Sequence, residues 1–221
     1  MNSNKILTMN LDEAYAAIES NKISICVIGI GRIGLPTALS FAYSGLKTIG
    51  VDVNVDLVNM INSAEFPLKD EPEYDEIFDS VIKNRTFQAT SNGSEVIPKS
   101  DIVILSLPTP AVSTSEPNYS ALRIVGKQLN EFLSANSIVV VESTIEPGFV
   151  ENELIGIIEG DKSRLEAGKN FSIGVCPETA NPGEILSDFK KLPRLVGSIN
   201  EKTTSIITKI YQHVFPVELI H

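Results

Sequence analysis

The sequence has no tryptophan, only two cysteines and two histidines, and fewer basic than acidic residues. Two cysteines form neither a disulfide framework nor a zinc-ligand pattern, so we expect Cys26 and Cys176 to be buried thiols and expect no metal site. The formal net charge of −10 argues against nucleic acid or an anionic membrane as a partner, because both require a basic face. No apolar run is long enough for a signal peptide or a membrane span, which predicts a cytoplasmic protein.

Apolar runs rich in β-branched residues alternate with helical patterns along the chain. Apolar residues recur at helical spacing from Leu11 to Ile18, so we interpret residues 1–20 as a helical extension that precedes one domain at 21–221. The strands are predicted at 23–28, 48–53, 86–89, 102–107, 138–141, 171–175 and 195–198. The helices are predicted at 35–42, 55–61, 119–134, 148–158 and 200–213.

This alternation predicts an α/β fold, a doubly wound parallel sheet of the Rossmann type with helices on both faces. Ligands of such sheets bind at the carboxyl ends of the strands. The acidic residues of 63–85, among them Asp70, Glu71 and Asp79, are interpreted as a solvated helix face and loop.

The stretch GIGRIG has the G-x-G-x-x-G spacing of a dinucleotide-binding loop and lies between a predicted strand and a predicted helix. We expect Gly29 to permit the tight turn, Gly31 to let the backbone approach a pyrophosphate, and Gly34 to let helix and strand pack closely. The helix N-terminus offers unpaired N–H groups and a positive dipole end to the phosphates. The loop is therefore predicted to be a cofactor cradle.

The other members of the cradle are Ile30, Arg32 and Ile33. Arg32 either meets a pyrophosphate oxygen or points to solvent. Asp52 follows the second predicted strand at about the spacing at which a carboxylate binds the adenosine ribose. Because this carboxylate would repel a 2′-phosphate, NAD is the predicted cofactor rather than NADP. The alternative is a structural glycine turn with a capping aspartate.

Four later segments narrow this interpretation: DEPEYDEIF (70–78), SDIVILSLPTP (100–110), VESTIEPGF (141–149) and VCPETANPGEI (175–185). Together with GIGRIGLPTA and VDVN, in this order and spacing, they resemble the nucleotide-sugar 6-dehydrogenases, the UDP-glucose and UDP-N-acetylhexosamine dehydrogenase family. The C-P-E segment with a later P-G resembles the branch acting on UDP-N-acetylglucosamine or UDP-N-acetylmannosamine. Thr179 departs from that branch, which usually has arginine at this position.

The resemblance implies a four-electron oxidation, in which the sugar C6 hydroxymethyl group becomes a carboxylate and two NAD⁺ are reduced. It implies that Pro108, Thr109 and Pro110 line the nicotinamide side of the cofactor. It also assigns Thr144 to the cofactor and the reacting water, and Glu178 to proton transfer through that water, which requires a base within hydrogen-bond reach.

The residues after Glu178, namely Thr179, Ala180 and Asn181, are implied to run along the nucleotide sugar with it. Each assignment has a simpler alternative. Thr109 is then a turn residue between prolines, Thr144 a helix N-cap, and Glu178 an exposed loop acid.

The family's central helix and its second domain, which supplies a nucleophilic cysteine, have no counterpart in this sequence. We therefore expect this chain alone to be inactive, because a thiolate must hold the aldehyde between the two oxidations. The resemblance implies a homodimer for the full-length form and leaves a monomer as the expectation for this chain. Two other functions stay open: a non-catalytic NAD-binding module, and a dehydrogenase of the 3-hydroxyisobutyrate or 6-phosphogluconate type.

Overall fold

A computed structural model describes residues 5–111, 117–161 and 164–221. The strands are β1 (Ser24–Ile28), β2 (Lys47–Val51), β3 (Phe87–Thr90), β4 (Ile102–Leu105), β5 (Ile138–Val141), β6 (Ser172–Val175), β7 (Arg194–Leu195), β8 (Gly197–Ser198) and β9 (Leu219–Ile220). Seven of them form one sheet in the order β3-β2-β1-β4-β5-β6-β8. All neighbours from β3 to β6 pair in parallel, and only β8 is antiparallel. This confirms the predicted doubly wound sheet.

The central strands are apolar throughout because both of their faces are covered. Side chains alternate between the two faces of a strand. In β1, Ile25 and Val27 belong to one hydrophobic core, whereas Cys26 and Ile28 belong to the core on the opposite face. The continuous apolar runs that predicted these strands are thus a consequence of burial on both sides.

The α-helices that cover the sheet are α1 (Leu11–Glu19), α2 (Gly34–Tyr43), α3 (Val55–Asn62), α4 (Asp75–Lys83), α5 (Gly93–Val96), α6 (Ser120–Phe132), α7 (Ile155–Glu159), α8 (Ile185–Phe189) and α9 (Glu201–Val214). Short 3₁₀ turns occur at Ile6–Thr8, Pro72–Tyr74 and Ile97–Lys99, and a π-helical turn at Val150–Leu154 leads into α7. In the ranges the structure describes, none of these helices has the length and apolarity of a bilayer span.

The predicted N-terminal helix is α1, and it begins with a complete capping box. Asn10 accepts a hydrogen bond from the N–H of Glu13, and the Glu13 carboxylate accepts one from the N–H of Asn10. Ala14 and Ile18 are buried in the same core as Ile206 of α9. The helix therefore packs on the body of the domain.

Both cysteines are fully buried, as predicted. Burial raises the pKa of each thiol, Cys26 and Cys176, to about 12. A thiol with so high a pKa is protonated at neutral pH and is a poor nucleophile.

Two sequence predictions were wrong in detail. The strand predicted at 195–198 is divided: β7 pairs with β9 in a separate two-stranded sheet, while β8 joins the edge of the main sheet at β6. Glu71 was assigned to a solvated surface but is only 3% exposed. Its carboxylate accepts hydrogen bonds from the backbone N–H groups of Gly183 and Ile185, far along the chain. Charge density along the sequence does not reveal a carboxylate that a distant loop encloses.

Replacing Phe41 by alanine is expected to lower the free energy of unfolding by about 3–5 kcal/mol, because a large ring is removed from a packed core. Phe41 is fully buried on α2 and meets the rings of Tyr211 and Phe215 edge-on at centroid distances of 5.4 and 5.7 Å. Denaturant titration measures the change. Tyr43→Ala on the same helix is the control: its side chain is 60% exposed, so we expect a change within about 0.5 kcal/mol. Equal losses in the two variants would contradict this account of the core.

Candidate functional site

A cleft of about 770 Å³ opens at the carboxyl ends of the parallel strands. It lies where the chain order reverses between β1 and β4, the position at which doubly wound sheets bind ligands. Its lining includes residues from the ends of β1, β2, β4 and β5 and from the loop after β6.

The three glycines of GIGRIG have different surroundings. Gly29 has φ of +89°, a conformation that favours glycine. A Cβ added to Gly34 would lie 1.8 Å from the carbonyl oxygen of Gly29, so α2 touches the loop there through bare backbone. A Cβ added to Gly31 would meet no protein atom within 4 Å, because this residue faces the open cleft. The geometry of the loop itself thus requires Gly29 and Gly34, whereas Gly31 faces the open cleft.

Asp52 connects the end of β2 to the glycine loop. One carboxylate oxygen accepts the N–H of Ile30 at 3.0 Å, and the other accepts the N–H of Asn54 at 2.9 Å. The carboxylate also lines the cleft. It therefore supports the loop and remains available to a ribose hydroxyl, since each carboxylate oxygen can accept more than one hydrogen bond.

Arg32 forms an ion pair with Asp70, and both side chains are about half exposed. Arg32 also belongs to the residues that line the cleft. This pair links the glycine loop to the segment that carries Glu71.

Hydrogen bonds join the loops after β4 and β5. The N–H of Leu107 donates to the hydroxyl of Ser143 at 2.8 Å, and the hydroxyl of Thr109 donates to the carbonyl of Thr144 at 2.8 Å. The side chain of Thr109 thus connects the loop after β4 to the loop after β5. The helical segment after Thr144 begins near Val150, too far along the chain for Thr144 to be its N-cap.

Glu178 follows β6 and lines the cleft, with its side chain only 8% exposed. One carboxylate oxygen accepts the N–H of Ala180 at 2.7 Å. The other lies 3.8 Å from a terminal nitrogen of Arg194. The carboxylate is therefore held inside the cleft wall and is not an exposed loop acid.

The cleft brings together most, but not all, of the residues predicted for it. Those that line it are Gly29, Gly31, Arg32, Ile33, Gly34, Asp52, Pro108, Thr109, Thr144, Glu178 and Ala180. Ile30 is buried below the loop, where its side chain packs against Gly50. Pro110, Thr179 and Asn181 lie outside the lining.

Sequence reasoning missed another part of the lining, namely Val53, Ser91, Gly93, Ala121, Ile124, Val125 and Gln128. Val53 and Ile124 are 91% and 60% exposed, which is unusual for branched apolar residues. Their exposure at the cleft fits an apolar ligand surface, such as a base. The sequence offered one signal for this surface: Ile124 is an apolar residue outside the buried apolar face of the amphipathic helix α6.

The composition of the cleft fits NAD and offers little to a metal ion. The open space at Gly31, the N-terminus of α2 and the carboxylate of Asp52 match a pyrophosphate and an unphosphorylated ribose. In the described parts of the chain, no group of three or more His, Cys, Asp or Glu side chains is placed to hold a metal ion.

Gly31→Val is expected to abolish NAD⁺ binding and leave the fold intact, because the side chain fills the space that the pyrophosphate requires. Gly34→Ala should instead destabilise the protein by about 1–3 kcal/mol, because its Cβ collides with backbone. Calorimetric titration and thermal unfolding of both variants separate the two effects. Normal NAD⁺ binding by Gly31→Val would contradict the cradle.

Asp52→Ala should weaken NAD⁺ binding by about tenfold or more, because it removes a charged hydrogen-bond acceptor from the ribose and the anchor of the loop. Asp56→Ala is the control, since Asp56 is exposed on α3 and outside the cleft lining. The same titrations measure both. An unchanged affinity in Asp52→Ala would rule out the ribose assignment.

Comparison with known proteins identifies the family of this chain. The sequence profile of the UDP-glucose/GDP-mannose dehydrogenase family, NAD binding domain, matches residues 23–215. The chain is 30% identical over 194 residues to Protein CapL of Staphylococcus aureus, which covers 86% of this chain and 43% of that protein. It is 31% identical over 188 residues to the UDP-N-acetyl-D-mannosamine dehydrogenase of Pyrococcus horikoshii, covering 85% of this chain and 44% of that enzyme.

Two solved structures are also similar to this chain over most of its length. The structure of the P. horikoshii enzyme has a TM-score of 0.83 at 29% identity, covering 90% of this chain and 46% of that one. The NDP-N-acetyl-D-galactosaminuronic acid dehydrogenase of Methanosarcina mazei has a TM-score of 0.84 at 30% identity, covering 94% and 46%. The chain spans less than half the length of these relatives. It belongs to the UDP-glucose/GDP-mannose dehydrogenase family and contains that family's NAD-binding domain.

Proposed function

We propose that the chain is the cofactor half of an NAD-dependent UDP-N-acetylhexosamine 6-dehydrogenase, which oxidises the sugar C6 hydroxymethyl group to a carboxylate. The observation that carries this proposal is the placement of Glu178 and Thr144 in the same cleft as the glycine loop and Asp52. A cofactor cradle alone would fit many dehydrogenases. A partly buried carboxylate in its wall adds a candidate base for a reaction that consumes water.

When bound, NAD⁺ would supply the hydride acceptor for two successive oxidations. We assign the glycine loop and Asp52 to holding the cofactor, and Pro108 and Thr109 to its nicotinamide side. Glu178 takes protons through the water that hydrolyses the oxidised intermediate. Thr144 donates or accepts a hydrogen bond to that water.

The substrate class follows from the relatives. Those of Pyrococcus horikoshii and Campylobacter jejuni carry the name UDP-N-acetyl-D-mannosamine dehydrogenase. We extend their substrate to this chain, with Ala180 contributing to its binding because it lines the cleft. We place Thr179 and Asn181 along the nucleotide sugar as well, outside the cofactor cleft.

A non-catalytic NAD-binding module is the second candidate. Thr179 favours it, because this position has arginine in the catalytic branch that the sequence resembles. The cofactor cleft would serve such a module equally well, so cofactor binding alone does not separate the two functions.

We further propose that residues 21–221 form the cofactor domain after the extension 1–20. The complete enzyme is then a cytoplasmic homodimer, whereas this chain alone is a monomer. No nucleic acid is among the proposed partners, in keeping with the net charge of −10.

The first experiment is calorimetric titration of the chain with NAD⁺ and NADP⁺, followed by addition of UDP-N-acetylmannosamine while NADH absorbance is recorded. We expect NAD⁺ to bind in preference to NADP⁺ and no sustained formation of NADH. Failure to bind NAD⁺ would contradict the proposal of a cofactor half. Sustained turnover would contradict the requirement for a cysteine from another domain.

Glu178→Gln is expected to leave NAD⁺ affinity within about twofold and to lower kcat of the complete enzyme by about 100-fold or more, the range for loss of a general base. Glu184→Gln, an exposed carboxylate on the same loop, is the matched control. A large loss of NAD⁺ affinity in Glu178→Gln would assign this residue to the cofactor instead. Equal turnover of the two variants would remove Glu178 from the chemistry.

A further inference from the structure

Arg194, at the start of β7, is a buried cation that the assignments above do not use. Its side chain is 4% exposed. The guanidinium carbon lies 4.2 Å from the ring centroid of Phe215 and 4.5 Å from that of Phe189, with Tyr211 at 5.7 Å. Rings on several sides orient the guanidinium through cation–π contacts and keep water away from it.

Two carboxylates face this guanidinium from neighbouring strand ends. Glu142, directly after β5, has an oxygen 3.6 Å from one terminal nitrogen. Glu178 has an oxygen 3.8 Å from the other. The same oxygen of Glu142 accepts the hydroxyl of Tyr211 at 2.7 Å. Both residues belong to the cleft lining, although the side chain of Glu142 is fully buried, so Arg194 lies behind the cleft wall and faces both carboxylates.

This arrangement is a costly way to stabilise a fold. Among the described residues, neither terminal nitrogen of Arg194 has a hydrogen-bond partner, nor does the second oxygen of Glu142. A buried ion pair without such partners adds little stability compared with apolar side chains of the same volume. Burial also raises the pKa of the Glu142 carboxyl, against the opposing effects of Arg194 and Tyr211. The stability of the core therefore does not account for the cluster.

The cluster is better explained by the orientation that it gives to the Glu178 carboxylate than by the stability of the core. One of its oxygens accepts the N–H of Ala180, and the other faces Arg194. Two fixed contacts on opposite oxygens set the plane of a carboxylate, which one contact alone leaves free to rotate. A base that acts through a water must present its oxygen at a defined position.

We propose that Arg194 is a positioning residue for Glu178, and that Glu142 is the buried counter-charge that holds Arg194 in place. The functional value of this positioning rests on the proposed role of Glu178. The contact itself does not, so it can be tested apart from turnover.

The pairing of β7 with β9 holds the backbone of Arg194 in an extended strand. Successive side chains of a strand face opposite sides, so Arg194 is buried whereas its neighbour Leu195 is 59% exposed.

The test follows the backbone amide of Ala180 by NMR, because its N–H donates to Glu178 and reports the position of that carboxylate. Arg194→Met removes the guanidinium, Arg194→Lys keeps a charge, and the double variant Arg194→Met with Glu142→Gln removes both charges. The amides of Gly183 and Ile185, which donate to Glu71, are internal controls for the integrity of the loop.

We expect hydrogen exchange of the Ala180 amide to be about tenfold faster or more in Arg194→Met, because a displaced Glu178 carboxylate no longer accepts this N–H. Loss of a charged hydrogen bond has about this effect. Gly183 and Ile185 should keep their protection, and Arg194→Lys should be intermediate. The double variant should recover part of the thermal stability lost in Arg194→Met because it removes the uncompensated charge of the fully buried Glu142, yet its Ala180 amide should still exchange fast.

Protection of Ala180 at the wild-type level in the double variant would overturn the proposal, since Arg194 would then serve only to neutralise Glu142. Unchanged exchange in Arg194→Lys and Arg194→Met would overturn it too. If Arg194→Met does not fold, the lysine and double variants decide the question. NAD⁺ titration of the two single variants, Arg194→Met and Arg194→Lys, tests the proposed function separately, because Arg194 is outside the cleft lining.

Discussion

The cleft depends on one backbone contact, the approach of Gly34 at the start of α2 to the carbonyl of Gly29 at the end of β1. No side chain fits between them, since a Cβ on Gly34 would lie 1.8 Å from that oxygen. The contact fixes α2 against the end of β1 and places the N-terminus of α2 at the cleft, which Ile33 and Gly34 line. Asp52 then holds the loop from the neighbouring strand through the N–H of Ile30. The end of the cleft that we propose to hold the pyrophosphate is therefore set by backbone geometry.

The opposite wall is built in another way, from charged side chains that the fold encloses. The loop after β6 carries Glu178 and is held near one end by Arg194 and near the other by Glu71. Glu71 satisfies two backbone N–H groups, whereas Arg194 faces carboxylates at longer distances. Rigid backbone thus forms the cofactor side, and buried charges support the side where chemistry is proposed. Replacing one of these buried charges should therefore change the geometry of the loop after β6 more than it changes cofactor binding.

Much of the fold was predictable because its signals are local. The parallel strands are buried on both faces, so each appears as a continuous apolar run, and the helices between them show clear periodicity. The glycine loop and the position of Asp52 were also predictable from the sequence, because each of these residues acts through the backbone or at a strand end. Arg194 and Glu71 were missed for the opposite reason. Their roles depend on partners from distant segments, and in the sequence they look like ordinary surface charges.

The sequence by itself determined the doubly wound sheet and the glycine loop between β1 and α2, and it predicts the preference for an unphosphorylated ribose, because each follows from residue order along one segment. The tertiary structure decided which acids are buried, where the strand at 195–198 divides, and which side chains surround Glu178. Those outcomes depend on the packing of β7, α8 and α9 against the loop after β6, and no periodic pattern encodes such contacts. Burial and opposing charge act over a few ångströms in space, whereas the residues concerned, Glu71, Glu142, Glu178 and Arg194, are widely separated along the chain.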